Sequence, residues 1–112
     1  MLCNIYAAPG DSPRNVTLTA VSDSEIFVSW EPPSKPNGII RRYKIELTNI
    51  ATANKGTDIY VGNRTYETLK NLLPNTLYKI QILAETARGP GPLSQPVNIR
   101  TKFTGNCFIF FI

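Results

Sequence analysis

Apolar and polar positions alternate with a period of two along most of this chain, the spacing of a β-strand with one face in a core. From Pro13 the first such run sets Val16 and Leu18 on one face and Asn15, Thr17 and Thr19 on the other. After the turn Ser22-Asp23-Ser24 a second strand places Ile26, Val28 and Trp30 together, with Phe27 and Ser29 opposite. Trp30 is the single tryptophan and sits where a core face wants bulk. Phe27 faces outward by the same parity, and a lone exposed aromatic needs no partner.

Glu31-Pro32-Pro33-Ser34-Lys35-Pro36-Asn37-Gly38 cannot be regular structure, because three prolines lack donors and Asn-Gly favours a turn. A third strand is expected from Ile39, with Tyr43, Ile45 and Leu47 inward and Arg42, Lys44 and Glu46 outward. Asn49 to Lys55 is polar and turn-like, and Asp58-Ile59-Tyr60-Val61 suits a short edge strand. Thr65 to Leu69 reads as a fifth strand after Gly62-Asn63. Placing Leu69 inward puts Glu67 on the same face, so either Glu67 lies at an open rim or a bulge shifts the register.

The stretch Leu72-Leu73-Pro74-Asn75-Thr76-Leu77-Tyr78 is a turn running into a sixth strand, Tyr78 to about Thr86, with Tyr78, Ile80, Ile82 and Ala84 on one face. A tyrosine at that point can pack its ring at the core edge while its hydroxyl reaches back to backbone in the turn. Ala87-Arg88-Gly89-Pro90-Gly91-Pro92 reads as a stiff loop, and Val97, Ile99 and Thr101 define a seventh strand. The reading is an all-β, antiparallel two-sheet sandwich of seven strands, with no helical period to compete.

These strands carry a resemblance to the fibronectin type III family over about residues 12 to 102. It rests on Pro13 with Val16 and Leu18; on Ile26, Val28 and Trp30 followed by Pro32-Pro33; and on Asn37-Gly38 with Ile40 and Tyr43. Leu72, Pro74, Thr76 and Tyr78, then Ala84 with Gly89, Gly91, Pro92 and Ser94, complete it. The resemblance implies an immunoglobulin-like sandwich in which Trp30, Tyr43, Leu72, Pro74 and Tyr78 form the structural core. It also implies that Tyr78 sits at the corner between sheets. A true immunoglobulin domain is disfavoured, since no cysteine falls where it could bridge the sheets. Residues 1–12 are then an N-terminal linker, 13–102 the domain, and 103–112 an apolar tail outside the fold, shorter than the roughly 20 residues that span a bilayer.

Composition narrows the function. The 112 residues hold no histidine, which removes the commonest general base and metal ligand, and the eight carboxylates fall singly. No Gly-rich phosphate loop precedes a helix, so the chain is expected to be no enzyme and to need no cofactor. The net charge of +4 comes from dispersed Lys and Arg, clustered only at Arg41-Arg42-Tyr43-Lys44, which argues against a nucleic-acid surface. Arg42, Lys44, Lys79 and Arg100 are outward-facing candidates for an acidic partner such as a sulfated polysaccharide. Asn15-Val16-Thr17 and Asn63-Arg64-Thr65 are N-glycosylation sequons.

Cys3 and Cys107 lie in the end segments, and an odd number of antiparallel strands leaves the ends at opposite poles, which disfavours a bridge between them. Arg88-Gly89-Pro90 lacks the carboxylate of an Arg-Gly-Asp integrin ligand. The resemblance implies a non-catalytic extracellular or cell-surface module, a spacer or adhesion unit as in receptor-type tyrosine phosphatases or matrix proteins. Its partners would be other domains of the same chain and further proteins, with membrane contact only through a parent protein. The alternative is an intracellular structural repeat of a muscle-type filament protein.

Overall fold

The computed structural model describes residues 7–52 and 54–104, without the side chains of residues 54 and 55. The strands are β1 (Arg14–Ala20), β2 (Ile26–Glu31), β3 (Arg42–Asn49), β4 (Asn54–Val61), β5 (Tyr66–Leu69), β6 (Leu77–Thr86), β7 (Gly89–Pro90) and β8 (Val97–Arg100). They build two antiparallel sheets, β1-β2-β5 and β4-β3-β6-β7, with β8 also paired to β6. The described residues therefore form eight strands where seven were expected.

The extra strand has a physical cause. Beyond β6 the chain pairs briefly at Gly89–Pro90, departs, and returns at Val97. Pro92 and Pro96 lie in the gap and have no amide to give the ladder. Ser94 fills the space: its amide donates to Ile82 O at 2.8 Å, and its hydroxyl accepts from Ile82 N at 2.9 Å.

The inward residues close one core. Ile26, Val28 and Trp30 of β2 meet Tyr43, Ile45 and Leu47 of β3, with Val61, Leu69, Tyr78, Ile80, Ile82 and Ala84 around them. Trp30 and Tyr43 pack edge to face with centroids 5.3 Å apart. Burial pushes the Tyr43 phenol up, and contact with the Trp30 indole opposes part of that rise. Leu72 packs against the core while only partly buried. Pro74, expected among the core residues, is instead exposed in the β5–β6 turn, where its role is to shape the backbone.

Three boundaries differ from expectation. Asn37 at φ 58° turns the chain, so the strand expected from Ile39 starts at Arg42, and Ile39 stands 83% exposed. The edge strand β4 begins at Asn54, well before Asp58. Gly56 permits this, since a Cβ there would lie 1.7 Å from Leu47 O. The β2–β5 ladder runs without a shift and sets Glu67 opposite Val28, so Glu67 lies at the rim, on the edge strand, paired to Arg64 in the connection before it.

The crossing from β5 to β6 is tied by side chains. Leu73 N donates to the Tyr78 hydroxyl at 2.9 Å. The buried Thr101 donates its hydroxyl to Leu73 O at 2.6 Å and accepts from Thr76 N at 3.0 Å. Leu72 N reaches Ser24 O and Lys102 N reaches Ser22 O, which attaches the β1–β2 turn to the same corner.

The other pole is clasped as well, and here the expected linker 1–12 is corrected for residues 7–12. Ala7 N donates to Asn37 O and Gly10 N to Lys35 O, while the Thr86 hydroxyl donates to Ala7 O. Pro9 is buried against Gly91. Asp11 accepts from the Ser34 hydroxyl and amide and, at 2.9 Å, from Lys35 N. Of the expected apolar tail, Phe103 is 62% exposed; residues 105–112 lie outside the described residues, as do Cys3 and Cys107.

Replacing Tyr78 by Phe keeps the ring and leaves the Leu73 amide without its acceptor, at an expected cost of about 1–3 kcal/mol. Urea unfolding at an unchanged m-value checks this, and a loss of only a few tenths would show that the hydroxyl is not a tie. The Ser34 hydroxyl, then the Lys35 amide, hold the Asp11 carboxyl below its ordinary value of 3.8. Its stabilisation is therefore complete above that ordinary value and fades as pH falls through the lowered one. The difference in urea midpoint between the wild type and Asp11→Asn should be constant near neutrality and shrink below about pH 4. A difference independent of pH would contradict the linkage.

Candidate functional site

The outer face of the five-stranded sheet carries the four cations singled out above, and the strand register shows what each meets. Arg42 and Glu85 are Cα partners across β3 and β6, and Arg42 Nε lies 2.8 Å from Glu85 Oε1. The same guanidinium sits 4.0 Å from the centroid of the Tyr60 ring on β4, a cation–π contact. Lys44 Nζ is 3.0 Å from Glu46 Oε2, and the hydrogen bond to Glu46 raises the lysine pKa. Lys79 sits on β6 opposite Asn98, while Arg100 Nη1 donates to Asn75 O at 3.1 Å. Two of the four cations are thus neutralised within the sheet, and the other two lie towards its far end.

The outer face of the three-stranded sheet differs in kind. Phe27 pairs with Thr68, and Ser29 with Tyr66, so Phe27 and Tyr66 become diagonal neighbours on adjacent strands. Their rings stack with centroids 6.4 Å apart and planes 27° apart. Both are exposed, Phe27 by 37% and Tyr66 by 52%. Arg64 lies 5.9 Å from the Tyr66 centroid, donates from Nε to Tyr66 O at 3.1 Å and pairs with Glu67. These side chains, with Thr68 and Lys70, line a shallow hollow of about 460 Å³.

Sequence reasoning missed this hollow. Outward parity gave Phe27 and could have given Tyr66, but nothing local says that residues 39 positions apart stand side by side. Thr86, Ser94 and Thr101 were within the sequence reading, but the hydrogen bonds their buried hydroxyls make were not, because the partners lie on distant stretches of chain.

Both sequon asparagines are exposed and border the three-stranded sheet. Asn15 occupies the bulge in β1 with φ 51°, a left-handed conformation that asparagine tolerates. Asn63 lies in the connection between β4 and β5. Among the described residues, no group of three or more acidic, Cys or His side chains could hold a metal ion, and no helix is long and apolar enough to cross a membrane.

A family model described as "Fibronectin type III domain" matches residues 11–100. The tyrosine-protein phosphatase Lar of Drosophila melanogaster is 32% identical over 93 residues, which are 81% of this chain and 5% of that protein. This chain therefore spans about one twentieth of that relative. Among solved structures, the fn3 domain of human contactin 1 superposes with a TM-score of 0.80 at 27% identity, covering 98% of this chain and 92% of the other. Domains A168–A170 from titin give 0.72 at 26% identity, covering 84% of this chain and 32% of theirs.

The Arg42–Glu85–Tyr60 cluster is partly exposed, so Arg42→Ala should cost no more than about 1 kcal/mol. The loss should shrink further between low and high salt. Urea unfolding at both ionic strengths measures it, and a salt-independent loss above about 2 kcal/mol would mean the pair is a buried structural element.

Proposed function

Because this chain belongs to the fibronectin type III family, we propose that it is a non-catalytic structural and protein-interaction module, a spacer or adhesion unit of a larger extracellular or cell-surface protein. The observation that carries this reading is where the described chain enters and leaves the fold. The chain enters beside the loops at Asn37 and Thr86 and leaves beside those at Ser22 and Asn75, so the fold has entry and exit at opposite poles. Modules of that shape can be strung in line, each transmitting position to the next.

The surface chemistry agrees with a binding role. Absence of histidine and of clustered carboxylates leaves no acid–base pair for catalysis. Partners are other modules of the parent protein and further proteins; a sulfated polysaccharide on Arg42, Lys44, Lys79 and Arg100 is weakened by the ion pairs that Arg42 and Lys44 already make. A second reading, an intracellular repeat of a filament protein, is favoured by the likeness to titin.

Expression through the mammalian secretory route followed by mass spectrometry separates the two. An extracellular module should return glycan on at least one of Asn15 and Asn63. Both asparagines unmodified in secreted, folded protein would count against the extracellular reading and leave the filament repeat.

A further inference from the structure

We propose that the hollow on the three-stranded sheet is covered by an N-linked glycan on Asn63, whose first sugar lies against Phe27 and Tyr66. The inference rests on the secretory reading above, since that is where asparagine receives its sugar. The modification transfers an oligosaccharide from a polyprenyl-pyrophosphate donor. A bond forms between the sugar's anomeric carbon and Asn63 Nδ2, the sugar–phosphate bond breaks, the lipid pyrophosphate leaves, and the amide gives up one proton.

Three features of this surface converge on the site. The first is the ring pair itself: two side chains exposed by 37% and 52%, stacked 6.4 Å apart, form a shallow apolar platform. The C–H face of a pyranose is flat and apolar enough to lie on it and remove that surface from water. The second is the attachment point. Asn63 is exposed, Arg64 already lines the hollow, and Tyr66 follows three residues on, within about 11 Å along the chain. Asn15 is on β1, separated from Tyr66 by the whole of β2, whereas Asn63 is on the segment that leads directly into Tyr66.

The third is the polar rim. Arg64 is held in place by Glu67 and by its bond to Tyr66 O, with N–H groups available for sugar hydroxyls or an acetamide oxygen. Thr68 and Lys70 supply further donors. A hollow this open offers a free saccharide too little contact to bind. A sugar tethered beside it has a high effective concentration, so weak stacking suffices. That difference selects the chain's own glycan over a soluble ligand.

The test uses the 112-residue chain secreted from mammalian cells, as wild type and as Asn15→Gln. Nuclear Overhauser contacts between N-acetylglucosamine protons and the Phe27 and Tyr66 rings are expected in both. Enzymatic removal of the glycan should lower the melting temperature by about 4 °C. In a Phe27→Ser, Tyr66→Ser variant the same removal should shift it by less than about 1 °C. An occupied Asn63 with no ring contacts and no change on removal overturns the proposal while the secretory reading stands. Occupancy at Asn15 alone does the same. Both asparagines bare would bring down the secretory reading itself, and this proposal with it.

Discussion

The hydroxyl of Tyr78 and that of Thr101 meet at Leu73, one accepting from its amide and the other donating to its carbonyl. This is the point on which the two-sheet arrangement turns. A chain that crosses from β5 to β6 must leave backbone groups in a half-buried corner, and each of them has to find a partner. Here the partners come from the first residue pair of β6 and from Thr101, the residue after β8, so the turn is closed only when three separate segments are in place. No cysteine lies between Cys3 and Cys107 to bridge the sheets, and hydrogen bonds and packing do that work.

The opposite pole is closed by a different device. A lead-in with Pro9 and Gly10 lies across two loops and anchors them through Ala7, Gly10 and Asp11. The effect is a module whose two ends are both firm where the described chain meets the fold. A firm pole carries orientation as well as distance, which suits a unit used in series.

The two outer faces divide the surface between them. On the five-stranded sheet, Arg42 meets Glu85 on the neighbouring strand and Lys44 meets Glu46 two residues along its own, which neutralises two of the four cations; on the three-stranded sheet, two aromatic rings and an arginine remain in view. The Arg42–Glu85 pair is a property of register, invisible in a list of outward cations, whereas Lys44 and Glu46 stand two residues apart on one face of a single strand.

What the sequence by itself determined is the inward set on β2, β3 and β6. Ile26, Val28, Trp30, Tyr43, Ile45, Leu47, Tyr78, Ile80, Ile82 and Ala84 were legible as core residues, and all are buried. The reason is local: successive side chains of a strand point to opposite faces, so alternation alone sorts inside from outside. The Tyr78 corner was legible too, because its partner lies five residues away. Tertiary structure alone decided the rest. It paired Arg42 with Glu85 across 43 positions, joined Ala7 to Thr86 across 79, set Phe27 beside Tyr66, and let β4 start early where Gly56 passes over Leu47. Each of these depends on which strand lies beside which and in what register, and that follows from closing the whole core rather than from any stretch of chain.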